Sequence, residues 1–301
     1  MRTLKLAGLL VLAAQATWAA ETAAFLDIGV GARAAGMGGA YTALADDANA
    51  VYWNPAGLAR VEKREASVSH AELGRSTRHD FLSYAHPAPQ GTFAAALTYL
   101  SQGSIEGRDS LGRPTAKFDA SDAAMAATYG RKTELADLGL SVKYLRSHIG
   151  SAEAQGVALD LGARRELEGL GSGKLALGAT LRNLGPGLKY ERERNDLPLR
   201  LALGAAYRLT KGHAVAVEFQ NGPRGAGSEG AVGGEFKAME GVFLRLGYAT
   251  KSAASGGSGF DAAKGLTLGF GLKRGQFSLD YGAQAAGELG NTHRFSLAAR
   301  W

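Results

Sequence analysis

The chain has 301 residues, a formal net charge of +6, 43 glycines and no cysteine. The lack of cysteine excludes a disulfide framework and a thiolate metal site. The basic residues are scattered singly, without the stripe interleaved with aromatics that a nucleic-acid partner requires. Beyond the N-terminus no apolar run approaches the ~20 residues of a membrane-spanning helix.

The N-terminus reads as a secretory signal peptide over residues 1–19. Arg2 and Lys5 precede an apolar run from Leu6 to Ala14, and Thr17-Trp18-Ala19 places small residues at the minus-three and minus-one positions. Cleavage after Ala19 removes both charges and lowers the formal charge from +6 to +4.

Residues 20–59 are rich in Ala and Gly and lack strand periodicity. Met37 to Ala45 reads as a short helix, Asp46-Asp47 as a break and Asn49 to Trp53 as a second short element. Asn54-Pro55 stops it, because proline restricts the residue before it. Tyr41, Tyr52 and Trp53 need cover, so the segment is expected to fill the inside of the domain that follows, as a plug. Gly36, Gly38 and Gly39 would let its backbone approach a wall closely. Arg33 is expected to anchor it by pairing with an inward acid such as Asp160, Glu218 or Asp280.

From residue 60 to 301, segments of about ten residues alternate apolar with polar or small side chains, the signature of a membrane barrel strand. The expected strands are 65–73, 76–86, 91–101, 121–131, 136–147, 153–165, 173–183, 198–209, 212–220, 229–238, 241–250, 263–274, 276–284 and 292–301. A membrane protein without spanning helices must close its sheet. The fold class is therefore all-β: a 14-stranded antiparallel transmembrane β-barrel with a short N-terminal helical plug (hatch). Connections after even strands, on the periplasmic side, are short, and those after odd strands are longer. The turn near Gly74-Arg75 and the stretch Arg165–Ser172 depart from this alternation.

In this register Phe277, Leu279, Tyr281, Phe295, Leu297 and Trp301 face lipid, whereas Arg245, Lys273, Asp280, Arg294 and Arg300 face the lumen. The strand ending at Trp301 carries Phe295 on its apolar face, and the two aromatics are expected to serve as the assembly signal read by the barrel-assembly machinery.

The pre-barrel segment also carries a family resemblance. Its G-x-G-A-R-A-A-G-M-G-G-A-Y-T-A and A-D-D-A-N-A-V-Y-W-N-P-A-G-L-A runs resemble the N-terminal signature of the PorV/PorQ family of outer-membrane proteins. The matching positions are Gly31, Arg33, Ala34, Met37, Gly38, Gly39, Ala40, Asp46, Asp47, Ala48, Asn54, Pro55, Ala56 and Gly57. That family is similar in fold to the FadL long-chain fatty-acid transporters, fourteen-stranded barrels whose hatch carries an Asn-Pro-Ala motif. The resemblance implies a location in the bacterial outer membrane, in contact with its lipid, and two functions. The first is a plugged conduit for a hydrophobic small-molecule ligand. The alternative is a secretion or surface-attachment accessory, related to type IX secretion, that binds a secreted protein partner. The external loops are short beside those of the fatty-acid transporters.

Enzyme signatures fail. Gly29-Val30-Gly31-Ala32-Arg33-Ala34 is not followed by a strand-helix-strand unit, and Gly171-Ser172-Gly173-Lys174 lacks the flanking residues of a phosphate loop. The six histidines, at 70, 79, 86, 148, 213 and 293, have no metal-ligand spacing. No Gly-x-Ser-x-Gly elbow occurs. Asp46, Asp47 and Asn49 offer oxygen ligands to a cation, with capping or packing inside the plug as the stronger reading. No enzyme activity, cofactor or metal is expected.

Overall fold

Alternation turns each segment into a two-faced strand, and the computed structural model joins fourteen of them edge to edge into a closed antiparallel barrel. It describes residues 22–73, 77–170, 172–190, 193–209, 212–224, 227–250, 265–285 and 291–301. The expected signal peptide, the Gly74-Arg75 turn and the connection 251–262 lie outside the described residues.

The barrel strands are β1 (Glu65–Glu72), β2 (Arg78–Ala88), β3 (Gly91–Arg108), β4 (Pro114–Lys132), β5 (Asp137–Ile149), β6 (Ala152–Leu170) and β7 (Gly173–Leu184). After a separate hairpin, β8 (Leu188–Tyr190) and β9 (Glu193–Asn195), the barrel continues through β10 (Arg200–Leu209), β11 (Ala214–Gly222), β12 (Gly227–Met239) and β13 (Val242–Thr250). It ends with β14 (Leu266–Arg274), β15 (Phe277–Ala285) and β16 (Asn291–Arg300). β16 closes on β1 with Glu65 opposite Arg300 and Glu72 opposite His293. Closure leaves no unpaired barrel edge, the condition for backbone to sit in hydrocarbon.

Three expectations about connections need correction. The stretch 102–120 is largely strand, because β3 and β4 run on past the wall as a hairpin. The stretch 184–198 holds β8 and β9, whose three residues each are too few to show a period of two. Arg165–Ser172 is mostly strand too, since β6 continues to Leu170, and that connection is as tight as its neighbours.

The outer surface is apolar. Phe277, Leu279, Phe295, Leu297 and Trp301 are each about half exposed, and Tyr281 on the same face packs against Phe295 with ring centroids 5.0 Å apart. The inner face carries buried small polar residues such as Ser67, Ser69, Ser83, Thr128 and Ser141.

The interior is filled by residues 22–61. A 3-10 turn (Ala24–Asp27), α1 (Ala32–Gly36), α2 (Ala50–Trp53) and a 3-10 helix (Pro55–Arg60) are joined by tight turns. The helix expected at Met37–Ala45 is absent, and α1 lies just before it. Gly38, with φ +68°, ends α1: its N–H donates to Ala35 O and that of Gly39 to Ala34 O, closing a Schellman cap. Asn54 ends α2 in extended geometry and then caps the next helix, its Oδ1 accepting the Ala56 N–H at 3.1 Å with Pro55 at the first position. The Asn54-Pro55-Ala56 turn therefore leads into a further helix before β1.

The segment starts at the end of the barrel that carries the β7–β10 connection, where the Thr22 N–H donates to Asp196 O. It leaves at the opposite, short-turn end, where Arg64 pairs with Trp301 through two backbone hydrogen bonds. Phe25 and Leu26 pack with Leu188 and Leu197, so the β8–β9 hairpin covers its start.

Candidate functional site

The interface between plug and wall concentrates the chemistry of this chain. Its shape is set by glycines on inward positions of the strands, where a side chain would collide with plug backbone. A Cβ on Gly139 would overlap Pro55, one on Gly162 would overlap the Asn54 side chain, and one on Gly178 would sit 2.7 Å from Thr42 O. Gly233 and Gly247 do the same for Met37 and Gly38, and Gly282 for Ala32 at 2.7 Å. Several are cross-strand neighbours: Gly139 faces Gly162, Gly233 faces Gly247 and Gly269 faces Gly282. The plug thus winds round the inner wall from β16 back towards β4, seated at each step on a bare patch of sheet. Of the plug's own glycines, Gly36 approaches Gly269 and Gly38 approaches Tyr248, as expected of a close approach to the wall; Gly39 faces Trp53 instead. Gly31, at φ +80°, packs against Asn49.

Arg33 is the electrostatic hub. Its Nε and Nη2 donate to the two oxygens of Glu235, each at 2.8 Å, and its Nη1 donates to Asp46 Oδ1 at 2.7 Å and to the Tyr41 hydroxyl at 2.9 Å. The expected partners were Asp160, Glu218 or Asp280, and each is engaged elsewhere. Asp160 pairs with Lys143, Glu218 accepts the Tyr41 and Thr42 N–H groups, and Asp280 pairs with Arg245. Glu235 also accepts Arg245 Nε at 2.7 Å, and Asp46 accepts Arg208 Nη2 at 3.0 Å. One chain of charges, Arg208–Asp46–Arg33–Glu235–Arg245–Asp280, therefore stitches plug to wall. Bidentate guanidinium–carboxylate pairs of this type are directional as well as strong.

Asp46 and Asp47 differ sharply although adjacent. Burial disfavours the Asp46 carboxylate, but Arg33 and Arg208 outweigh it and hold the group well below the usual range. For Asp47 burial dominates over Arg33 and, with Asp46 nearby, pushes its carboxyl up. Asp47 Oδ2 accepts the Tyr41 hydroxyl at 2.6 Å and Oδ1 the Asn49 N–H at 3.0 Å. The Asp46 and Asp47 oxygens offered to a cation on sequence grounds thus serve Arg33, Arg208 and the plug's own turns, whereas Asn49 Oδ1 is buried without a hydrogen-bond partner among the described residues.

Arg245 and Arg294 are buried inward, and Arg300 bonds Glu65 at 2.9 Å across the seam. Lys273 is exposed at the short-turn mouth, on a cleft of about 450 Å³ shared with Arg60, Lys63, Glu65 and Arg300. Asn54 Nδ2 donates to Thr42 O at 2.8 Å, tying the two arms of the plug. Met37, Pro55 and Ala56 are buried, and Trp301 stacks on Tyr84 at 6.2 Å. Sequence reasoning missed Glu235, Arg208, the Arg200–Asp27 pair and Arg182, whose guanidinium lies over Tyr52 at 5.0 Å and Trp53 at 5.8 Å. For all but Asp27, which lies in the plug's 3-10 turn, the one signal was charge on an inward strand position.

Between plug and wall, Phe25, Leu26, Val51, Tyr52 and Phe81 line an apolar cavity of about 20 Å³. That is room for a single water.

A closed fourteen-strand antiparallel barrel filled by its own N-terminal segment is a fold typical of bacterial outer-membrane proteins. The chain belongs to the PorV family: the family model described as type IX secretion system protein PorV matches residues 13–220. Among solved structures it is similar to the Pseudomonas putida toluene transporter TodX, with 13% identity, a TM-score of 0.60 and coverage of 90% of this chain and 96% of that one. It is also similar to the CymD monoaromatic hydrocarbon channel, with 12% identity, a TM-score of 0.57 and coverage of 93% and 98%. A Pseudomonas aeruginosa FadL homologue gives 13% identity, a TM-score of 0.55 and coverage of 90% and 98%. At such identities the likeness is one of fold. No curated protein matches the chain.

Proposed function

We propose that the protein resides in a bacterial outer membrane and works with its plug in place, as a secretion or surface-attachment accessory that binds a secreted protein at its outer rim. The observation that carries this reading is the filled lumen. Wall glycines meet plug backbone on strand after strand, and the apolar cavity between Phe25, Leu26, Val51, Tyr52 and Phe81 is only about 20 Å³. Membership of the PorV family supports it. The outward apolar band would contact outer-membrane lipid, and the strand ending at Trp301 would be handled by the barrel-assembly machinery.

A second reading, a conduit for hydrophobic small molecules, draws on the apolar lining of that cavity and on the fold shared with TodX and CymD. It requires the 3-10 turn at Ala24–Asp27 to move aside, since that cavity is too small for a hydrocarbon. Deleting the gene in the native host separates the two. An accessory role predicts that secreted proteins are lost from the cell surface while uptake of labelled hydrocarbons is unchanged. Lost uptake with an unaltered surface proteome would overturn it in favour of the conduit.

A further inference from the structure

The inward charges of the barrel are nearly all matched. Asp27 holds Arg200, Asp160 holds Lys143, Glu235 and Asp280 hold Arg245, and Glu65 holds Arg300. Two buried arginines break the pattern. Arg182 has no ion pair among the described residues and its Nε and Nη1 are unpartnered, but its Nη2 donates to Gln220 at 2.9 Å and its guanidinium lies over Tyr52. Arg294 has no such contact among the described residues. It is 7% exposed, its Nε has no hydrogen-bond partner, and among the described residues its guanidinium forms no ion pair. A buried guanidinium without a counter-charge is costly enough that it is normally paired.

Its surroundings are equally open in bonding terms. Ala71 on β1 lies opposite Arg294 on one side and opposite His79 on the other. The two side chains thus spring from strands roughly 10 Å apart at the backbone, with only a methyl group between them. His79 is 2% exposed and its Nε2 is also unpartnered. Tyr52 of the plug lies within electrostatic reach of Arg294, and also of Arg182, Asp27 and Arg200. Burial pushes its phenol up to about 12, so it stays a neutral O–H donor. An unpaired cation and an unpartnered imidazole therefore sit two strands apart on the inner wall, with a phenol of the plug in electrostatic range of the cation, and among the described residues no carboxylate pairs with Arg294 or bonds His79 Nε2.

We propose that Arg294, with His79 and Tyr52, binds a small monovalent anion of halide or formate size. One uncompensated charge calls for one negative charge, and the enclosure of Arg294 excludes a lipid headgroup or a peptide terminus. The anion would fasten Tyr52, and through it the plug, to the β16–β1–β2 wall.

Two measurements on the full-length protein in non-ionic detergent test this. The first is thermal unfolding followed by tryptophan fluorescence at constant ionic strength, with the bulky anion gluconate replaced by chloride or by formate. A saturable rise in Tm is expected with the small anions. The rise should vanish in Arg294→Gln and shrink in Tyr52→Phe, while Lys63→Gln, at the exposed mouth, retains it. A Tm indifferent to the anion, or a rise preserved in Arg294→Gln, would overturn the site. The second measurement needs no variant: crystals grown in bromide should show an anomalous peak beside the Arg294 guanidinium. Water alone at that position would overturn the proposal.

Discussion

Arg33 on the plug grips both carboxylate oxygens of Glu235 on the wall, each at 2.8 Å, and Glu235 is shared with Arg245 behind it. The plug is thereby joined to a strand more than two hundred residues away through a contact that is only partly exposed. Arg33→Gln should destabilise this junction by about 3–5 kcal/mol, the usual cost of removing one partner from a buried pair. Limited proteolysis of membrane-embedded protein checks it: cleavage within residues 22–61 should become fast while the barrel stays resistant. Glu235→Gln should act in the same direction.

Wall glycines provide a steric test free of charge effects. Gly139→Ala places a methyl group on the Pro55 backbone, and Gly247→Ala places one on Gly38. Both variants should insert as barrels with a displaced plug and show raised conductance in planar bilayers. Gly112→Ala, in the outer hairpin where nothing lies within 4 Å of the added carbon, should remain closed.

Removing residues 25–52 should leave a folded barrel that conducts ions, whereas the intact protein stays nearly closed. Equal conductance of the two would place the seal elsewhere than in this segment.

Acidity should act on the plug in two opposite steps. The Asp47 carboxyl is raised in the fold, so its contribution to stability is fully present below its unfolded value near ~3.9 and is lost as pH rises through the folded value. Asp46 is depressed, so its contribution is present above ~3.9 and is lost only as pH falls below that towards its folded value. Plug protection from protease should therefore rise on mild acidification and fall below about pH 4. Asp47→Asn should flatten the rise, and Asp46→Asn should weaken protection at neutral pH.

Deleting Trp301, or replacing Phe295 and Trp301 by polar residues, should leave export across the inner membrane intact and lower the yield of heat-modifiable barrel in the outer membrane. Glu65→Gln, which leaves the seam partner Arg300 without its carboxylate, should reduce that yield less.

The barrel was legible because its signal is local and repeated. Leu266, Leu268, Phe270 and Leu272 against Thr267, Gly269, Gly271 and Lys273 state a face without reference to anything else in the chain. The plug is different. Gly38 and Gly39 were read as allowing close approach, yet the cap they form on α1 also moves the helix out of Met37–Ala45. That Arg33 needs a carboxylate follows from burial alone. Choosing Glu235 over Asp160, Glu218 or Asp280 depends on how far round the wall the plug has travelled, which no spacing along the chain encodes. Arg294 was placed inward from the alternation of β16, but its isolation becomes visible only when the neighbouring acids are all seen to be engaged.

The path of residues 22–61 also bears on how the ring is filled. The chain lies beside Asp196 at one mouth and leaves beside Trp301 at the other, and it continues into the wall only on the Arg64 side. The segment can therefore enter a closed ring end first from the short-turn mouth, with the β1–β16 pairing from Glu65–Arg300 to Glu72–His293 intact. Seating the stopper and withdrawing it are then one movement in opposite directions, along the lumen and past the bare glycine positions of the wall.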